Sequence, residues 1–262
     1  MNFLRPLGST GLQVSALGLG TVKFGRNEQV KYPTAFSLPD DKAIARLLDE
    51  ARELGINLID TAPAYGSSEE RIGNILKQRR DWILCTKVGE EFTNGQSQFD
   101  FSASHTRMSI ERSLQRLRTD YLDLVLIHSD GNDAAILEQE ECLATLQQLQ
   151  KAGVIRALGM STKTIAGGIA AVQALDVVML TYNLQQRDEA VLELATQQGK
   201  GVLVKKGLMS GHVGNTEGGD LVRASMELNF SRPGIGSMIV GTINPQHLRH
   251  NIETARQVLA AL

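Results

Sequence analysis

Cysteine is nearly missing from this chain. Cys85 and Cys142 are the only two among 262 residues, and they form no CxxC pair. Cys85 falls in an apolar stretch and Cys142 in a helical one, so both are expected to be packed thiols of a reducing compartment. An excess of one charge sign is missing as well. The formal net charge is −2 with the charges well mixed, which argues against nucleic acid or an acidic macromolecule as partner. Met1-Asn2-Phe3-Leu4-Arg5-Pro6 lacks the apolar block of a secretory leader, and no apolar run approaches the length of a membrane span. A cytoplasmic protein without membrane attachment is expected. Gly18-Leu19-Gly20 is not a GxGxxG sequence, so no Rossmann site is implied.

What is present is a 42% hydrophobic fraction, enough for a large core, in a regular order. Phe3 to Val14 reads as a short hairpin around Gly8-Ser9-Thr10-Gly11. Strands are then expected at Ala16–Thr21, Asn57–Asp60, Trp82–Thr86, Tyr121–Ile127, Val154–Met160, Val177–Tyr182, Gly201–Val204 and Ser237–Val240. Helical patterns lie between them. One is opened by Pro39-Asp40-Asp41 and stopped by Gly55, with Ile44, Leu47, Leu48, Ala51 and Leu54 on one face. Ser67 or Ser68 is expected to cap the next and Ser104 the one after. Further helices are expected at Glu138–Ala152, Ile165–Leu175, Arg187–Gln198 and near Asp220–Asn229, and one carrying Leu248, Ile252, Ala255, Leu259 and Leu262. Arg26–Leu38, Gly89–Phe101 and Gly207–Gly219 read as loops. Short apolar strands alternating with helices imply a buried parallel sheet. Eight such units in this length fit a closed (β/α)8 TIM barrel, 1–262 as one domain, better than an open doubly wound sheet.

The organising stretch is Leu58-Ile59-Asp60-Thr61-Ala62-Pro63-Ala64-Tyr65-Gly66, a strand running into a polar loop. The next two strands run into Lys87 and His128. Carboxylate, phenol, ammonium and imidazole thus gather at three consecutive strand ends, where barrels of this type place their chemistry. A lysine ammonium beside a phenol favours the phenolate and is expected to lower the Tyr65 pKa, with Asp60 holding Lys87. The imidazole of His128 can orient a carbonyl oxygen. Such a set suits protonation of that oxygen while a cofactor delivers hydride, since none of these groups is a hydride source. Each residue also has a plain structural reading: a loop cap, a half-buried aromatic, a solvated strand end, a satisfied core histidine. Four of them at consecutive strand ends favour a site.

At this point the sequence resembles the aldo-keto reductases, NAD(P)H-dependent carbonyl reductases built on a (β/α)8 barrel. The likeness runs from Leu7-Gly8-Ser9-Thr10-Gly11 through Asp60-Thr61-Ala62, Tyr65-Gly66, Ser68-Glu69, Ile72-Gly73, Thr86-Lys87-Val88-Gly89, Tyr121-Leu122-Asp123-Leu124 and Ile127-His128 to Gly153-Val154-Ile155-Arg156 and Gly159-Met160-Ser161. The resemblance implies Tyr65 as general acid, Lys87 and Asp60 as its tuning pair, and His128 as the substrate-orienting group. It implies a cofactor site bordered by Gly20, Thr21 and Asp60. The family's Ser-Asn after strand five is Ser161-Thr162 here, its strand-six Gln is Met179, and its nicotinamide-stacking aromatic is Lys205. Leu208, Ser210 and Gly211 correspond to the pyrophosphate loop, and Gly241, Thr242 and Asn251 to the adenosine end. Positions 241 to 243 carry no base, and the later arginine position corresponds to His247. Lys206 or Arg249 is the expected substitute, with NADP expected as cofactor and NAD possible.

The chain ends soon after its last helix, so the substrate pocket is expected to be open, with Gly89–Phe101 as one wall. The substrate is expected to be a small carbonyl or alcohol and the protein a monomer. Two other readings compete: a nucleotide-binding regulatory barrel with little or no turnover, and a Schiff-base lyase using Lys87.

Overall fold

Side chains alternate between the two faces of each short strand, and both faces are apolar. A sheet of that kind must be covered on both sides, which a barrel wrapped in helices achieves. The computed structural model describes residues 3–139, 141–211 and 220–262. Much of the expected Gly207–Gly219 loop lies outside the described residues.

The chain begins with an antiparallel hairpin, β1 (Leu4–Pro6) and β2 (Gln13–Ser15). Strand β3 (Leu17–Gly20), a short α1 (Val22–Gly25) and α2 (Asp41–Glu53) follow, then β4 (Leu58–Asp60) and α3 (Ser68–Ile75). After β5 (Ile83–Val88) comes a second hairpin, β6 (Glu90–Thr93) and β7 (Gln96–Phe99), then α4 (Ala103–Leu117). The rest alternates: β8 (Leu122–His128), α5 (Asp133–Glu138), α6 (Glu141–Lys151), β9 (Ile155–Ser161), α7 (Ile165–Ala174), β10 (Val177–Thr181) and α8 (Glu189–Gln197). It ends with β11 (Gly201–Lys205), α9 (Leu221–Phe230), β12 (Ile235–Val240) and α10 (Pro245–Ala261). Strands β3, β4, β5, β8, β9, β10, β11 and β12 close, in that order, into a parallel barrel. All eight expected strands are there.

Two cores result. Leu58, Ile83, Cys85, Leu124, Leu126, Ala157, Val177, Met179 and Leu203 fill the barrel, and Leu7, Leu12 and Val14 join them from the N-terminal hairpin and its turn. That hairpin plugs the end where the strands begin: Leu7 packs against Gly201 and Val177, the first residues of β11 and β10. Outward residues such as Ile59, Leu84, Val125 and Leu158 pack under the helices.

Several local expectations change. Gly89–Phe101 is no loop but carries β6 and β7. Asn94 and Gly95 form its two-residue turn, both at positive φ (53° and 75°), with Thr93 opposite Gln96, the geometry that Asn-Gly favours. Ser102, not Ser104, caps α4, accepting from the His105 N–H. Ser67 occupies the N-cap position of α3, but its side chain makes no capping hydrogen bond. The Ser68 hydroxyl instead donates to the Thr21 carbonyl, tying α3 to the end of β3. The helix expected over Glu138–Ala152 is α6, and α5, over Asp133–Glu138, precedes it without having been expected.

Candidate active site

The period-two rule that builds the barrel core also aims the polar groups. On β4 the inward residue after Leu58 is Asp60. On β5 the inward series is Ile83, Cys85, Lys87, and on β8 it is Leu124, Leu126, His128. Ser161 follows Ala157 and Gly159 on β9, and Lys205 follows Leu203 on β11. One inward face therefore turns from hydrocarbon to charge within two residues. Lys87 and His128 lie inside their strands rather than beyond them, because Lys87 pairs with Leu126 and His128 with Ser161. Tyr65 arrives from a single helical turn, Pro63–Tyr65, ended by Gly66 at φ 62°. A Cβ at Gly66 would lie 2.2 Å from the Gly25 carbonyl oxygen, so the chain returns here only with glycine.

Lys87 Nζ donates to Asp60 Oδ1 at 2.5 Å and to the Thr61 carbonyl at 2.9 Å. It sits 4.9 Å from the Tyr65 ring centre. The Tyr65 and His128 rings meet edge to face, with centres 6.2 Å apart. His128 Nδ1 lies 2.8 Å from Glu90 Oε2 on β6.

Burial works against the Lys87 charge, but Asp60, with Tyr65 and Cys85 adding to it, outweighs that and holds the ammonium above the ordinary lysine range. For Tyr65 the balance goes the other way. Burial raises the phenol well above the usual tyrosine value, and the opposing pull of Lys87 is the smaller effect. The expected drop toward neutrality is thus corrected: in a site this enclosed, desolvation wins over a neighbouring ammonium. Burial also lowers the His128 pKa, with Lys87 and Lys205 adding to the drop and Glu90 opposing it. Glu90 itself is pushed up by burial but brought down to about 2 by His128, Ser97 and Arg26.

Asp60, Tyr65, Lys87 and His128 share one cleft of about 940 Å³. Every residue expected at the cofactor lines it too: Gly20 and Thr21; Ser161, Thr162 and Met179; Lys205, Lys206, Leu208, Ser210 and Gly211; Gly241, Thr242, His247 and Asn251. Arg249 is the exception among the phosphate candidates. It does not line the cleft and pairs instead with Glu50 of α2. The Gly89–Phe101 segment contributes no lining residue and reaches the site through Glu90 beside His128 and through Phe99 under the Lys163 ammonium.

Sequence reasoning missed Lys23, Lys31, Tyr32, Lys163 and His250, which also line the cleft. Lys163 follows Ser161-Thr162 at a strand end, so the rule that found Lys87 could have found it. Lys31 and Tyr32 come from the aperiodic Arg26–Leu38 loop. Tyr32 reaches across to β12, where a Cβ on Gly241 would lie 2.8 Å from its hydroxyl.

The donor set suits a polyanion carrying an amide or hydroxyl edge. Lys23, Lys31, Lys163, Lys205 and Lys206 face the cleft, where the one lining carboxylate among the described residues is Asp60, already engaged by Lys87. The buried Thr162 Oγ1 has no hydrogen-bond partner among the described residues. Lys205 is the unusual member. Its Nζ donates to Ser161 Oγ at 3.0 Å and to the Thr162 carbonyl at 2.5 Å. Burial, reinforced by Lys206, brings its pKa down to about 7. Among the described residues no cluster of His, Cys, Asp and Glu is disposed to hold a metal, and no helix is long and apolar enough to cross a membrane.

Comparison with known proteins bears on this geometry. The Aldo/keto reductase family model matches residues 16–224. The chain belongs to that family. A candidate aldo-keto reductase structure from Pseudomonas aeruginosa is 55% identical, with a TM-score of 0.90 over 98% of this chain and 96% of that one. An uncharacterized oxidoreductase of Bacillus subtilis is 27% identical, over 96% of this chain and 90% of its own length. The NADH-specific methylglyoxal reductase of Escherichia coli is 30% identical, over 79% of this chain and 69% of its own. Aldo-keto reductases are oxidoreductases that use nicotinamide cofactors, and the cleft of this member, with its lysines and its unpartnered Thr162 hydroxyl, fits a dinucleotide of that kind.

Proposed function

We propose that the protein reduces aldehyde or ketone groups with NADPH, NADH being the alternative, and oxidises alcohols or sugars in reverse. The observation that carries this reading is the convergence of Tyr65, Lys87, Asp60 and His128 on one cleft whose other residues suit a dinucleotide. Leu208, Ser210 and Gly211 would hold the pyrophosphate side, and Gly241, Thr242 and Asn251 the adenosine side. Lys206 and His247 are assigned to a 2′-phosphate, since Arg249 is turned to Glu50. Supporting NADH instead is the NADH-specific relative in Escherichia coli.

A bound nicotinamide supplies hydride to the carbonyl carbon. The protein's part is the proton. Tyr65 keeps its phenolic proton at any working pH, because burial raises its pKa, so the acid form needed for reduction is always present. That proton passes to the carbonyl oxygen, which becomes the product hydroxyl. The phenolate left behind faces the Lys87 ammonium, held in place and charged by Asp60. His128 orients the oxygen. Lys87 is a poor Schiff-base nucleophile for the same reason, since the charged amine has no lone pair to offer. The reaction needs only a small-molecule substrate, and a cytoplasmic monomer would suffice.

Fluorescence titration with NADPH and NADH, followed by nicotinamide absorbance with an activated aldehyde, tests the proposal. Binding with turnover is expected. Binding without turnover across a broad aldehyde panel would favour the regulatory barrel, and failure to bind either cofactor would sink the reductase.

A further inference from the structure

The β6–β7 hairpin brings one carboxylate against His128, which lines the cleft. Asn94-Gly95 closes the hairpin, so Glu90 stands opposite Phe99 at its base. Glu90 Oε1 accepts a hydrogen bond from the Ser97 hydroxyl at 2.6 Å, and Arg26 Nη1 lies 4.0 Å away. That leaves Oε2 turned to His128, 2.8 Å from Nδ1. Both side chains are largely enclosed, at 13% and 17% exposure. The buried Nδ1 has no aligned hydrogen-bond partner among the described residues, and Glu90 Oε2 is the carboxylate oxygen in contact with it. A small ring rotation aligns it, and χ2 of histidine is soft. A buried ring N–H without an acceptor is costly, so the carboxylate is where that proton is satisfied.

We infer that Glu90 is a positioning residue that fixes the Nδ1–H tautomer of His128 and thereby couples carbonyl binding to protonation of His128. The inference rests on the carbonyl-reductase reading for its consequence, not for its geometry. With one proton on Nδ1, Nε2 offers a lone pair. A carbonyl oxygen is also an acceptor, so neutral His128 cannot bond it, whereas a hydroxyl can donate to Nε2. Once protonated, His128 donates from Nε2 to a carbonyl through a charge-assisted bond. The groups facing the ring divide accordingly. Lys87 from β5 and Lys205 from β11 oppose the imidazolium, as does burial. Tyr65 meets the ring edge to face, and Arg26 stands behind the carboxylate. Glu90 alone, among the described residues, brings a carboxylate into contact with the ring.

The sign follows. As pH rises through the His128 titration, the imidazolium is lost and carbonyl affinity falls by about tenfold per pH unit, while a hydroxyl ligand keeps its partner. In Glu90→Gln the amide can donate to Nδ1 and leave the proton on Nε2. Carbonyl affinity then becomes nearly independent of pH, and the change is carried by KM more than by kcat. The first readout needs no substrate: long-range proton–nitrogen NMR of the histidine rings, with His128→Asn for assignment. Wild type is expected to show the Nδ1–H form, and Glu90→Gln the Nε2–H form with a lower titration midpoint. Ser97→Ala should move the midpoint the same way by less. The dyad is overturned if wild-type His128 carries its proton on Nε2, or if Glu90→Gln leaves tautomer and midpoint unchanged. The slope of carbonyl KM with pH is the second readout, and a slope that survives Glu90→Gln overturns the coupling. A protein without reductase turnover would defeat the functional reading while the ring spectra still decide this one.

Discussion

Two regions share the inner face of the same strands and obey opposite rules. The lower interior, Leu58, Ile83, Cys85, Leu124, Leu126 and the plug residues Leu7, Leu12 and Val14, contains no formal charge. One or two residues further along, Asp60, Lys87 and His128 occupy equivalent inward positions; Asp60 and Lys87 are almost as enclosed, and His128 is partly buried. Lys87 is 1% exposed. Below, burial itself is the stabilising interaction. Above, burial is a cost, which Lys87 offsets with Asp60 and Thr61 and Lys205 with Ser161 and the Thr162 carbonyl, while His128 Nδ1 faces Glu90. The shared backbone lets the apolar layer hold the costly layer in register.

Substitutions can break that contrast. Lys87→Met is expected to do the most damage, because it leaves the Asp60 carboxylate buried and unpaired. Stability should fall by about 3–5 kcal/mol together with nearly all turnover, by urea denaturation and nicotinamide absorbance on the same sample. Tyr65→Phe separates the two properties: turnover should drop roughly 10²–10⁴-fold, with cofactor affinity and unfolding midpoint almost unchanged. Survival of turnover would mean that the acid lies elsewhere. Leu126→Ala is the converse, costing about 2–5 kcal/mol through the cavity it opens and leaving kcat of the folded fraction intact. A loss of kcat matching that of Tyr65→Phe would show that the layers are not separable. Lys205→Met is expected to act on the pH dependence of stability. Lys205 titrates near 7 when folded against 10.5 as an ordinary lysine. Between those values the unfolded chain binds more protons, so native stability should climb as pH rises from about 7 to 10. Lys205→Met should flatten the climb, as read by denaturation midpoints across that range.

Much of this was readable from residue order. Strand ends at Asp60, Lys87 and His128 announce themselves because the inward series changes character there. The cofactor-side residues Ser161, Thr162 and Lys205 came from the family resemblance, although Ser161 and Lys205 also end the inward series of β9 and β11. The protonation balance was not readable. Lys87 was expected to lower the Tyr65 pKa, yet how far water is excluded depends on the whole barrel mouth, and enclosure raised it instead. Glu90 escaped notice because the Gly89–Phe101 stretch read as a loop, although Asn94-Gly95 carried a hairpin signal. Lys31 and Tyr32 had no periodicity to reveal them. Arg249 looked available by position, but Glu50 on a neighbouring helix claims it.

Strands β5 and β8 pair directly, from Cys85 with Leu124 to Val88 with Ile127, so the β6–β7 hairpin contributes no rung to barrel closure. It leaves through Gly89, where a Cβ would strike Phe101 2.2 Å away, and returns through Asp100, whose N–H donates to the Gly89 carbonyl. Such an insert can lengthen, drift or be exchanged among relatives without reopening the barrel. A lineage could therefore retune the acidity at which its enzyme works by rewriting one appendage, keeping its inherited catalytic side chains untouched.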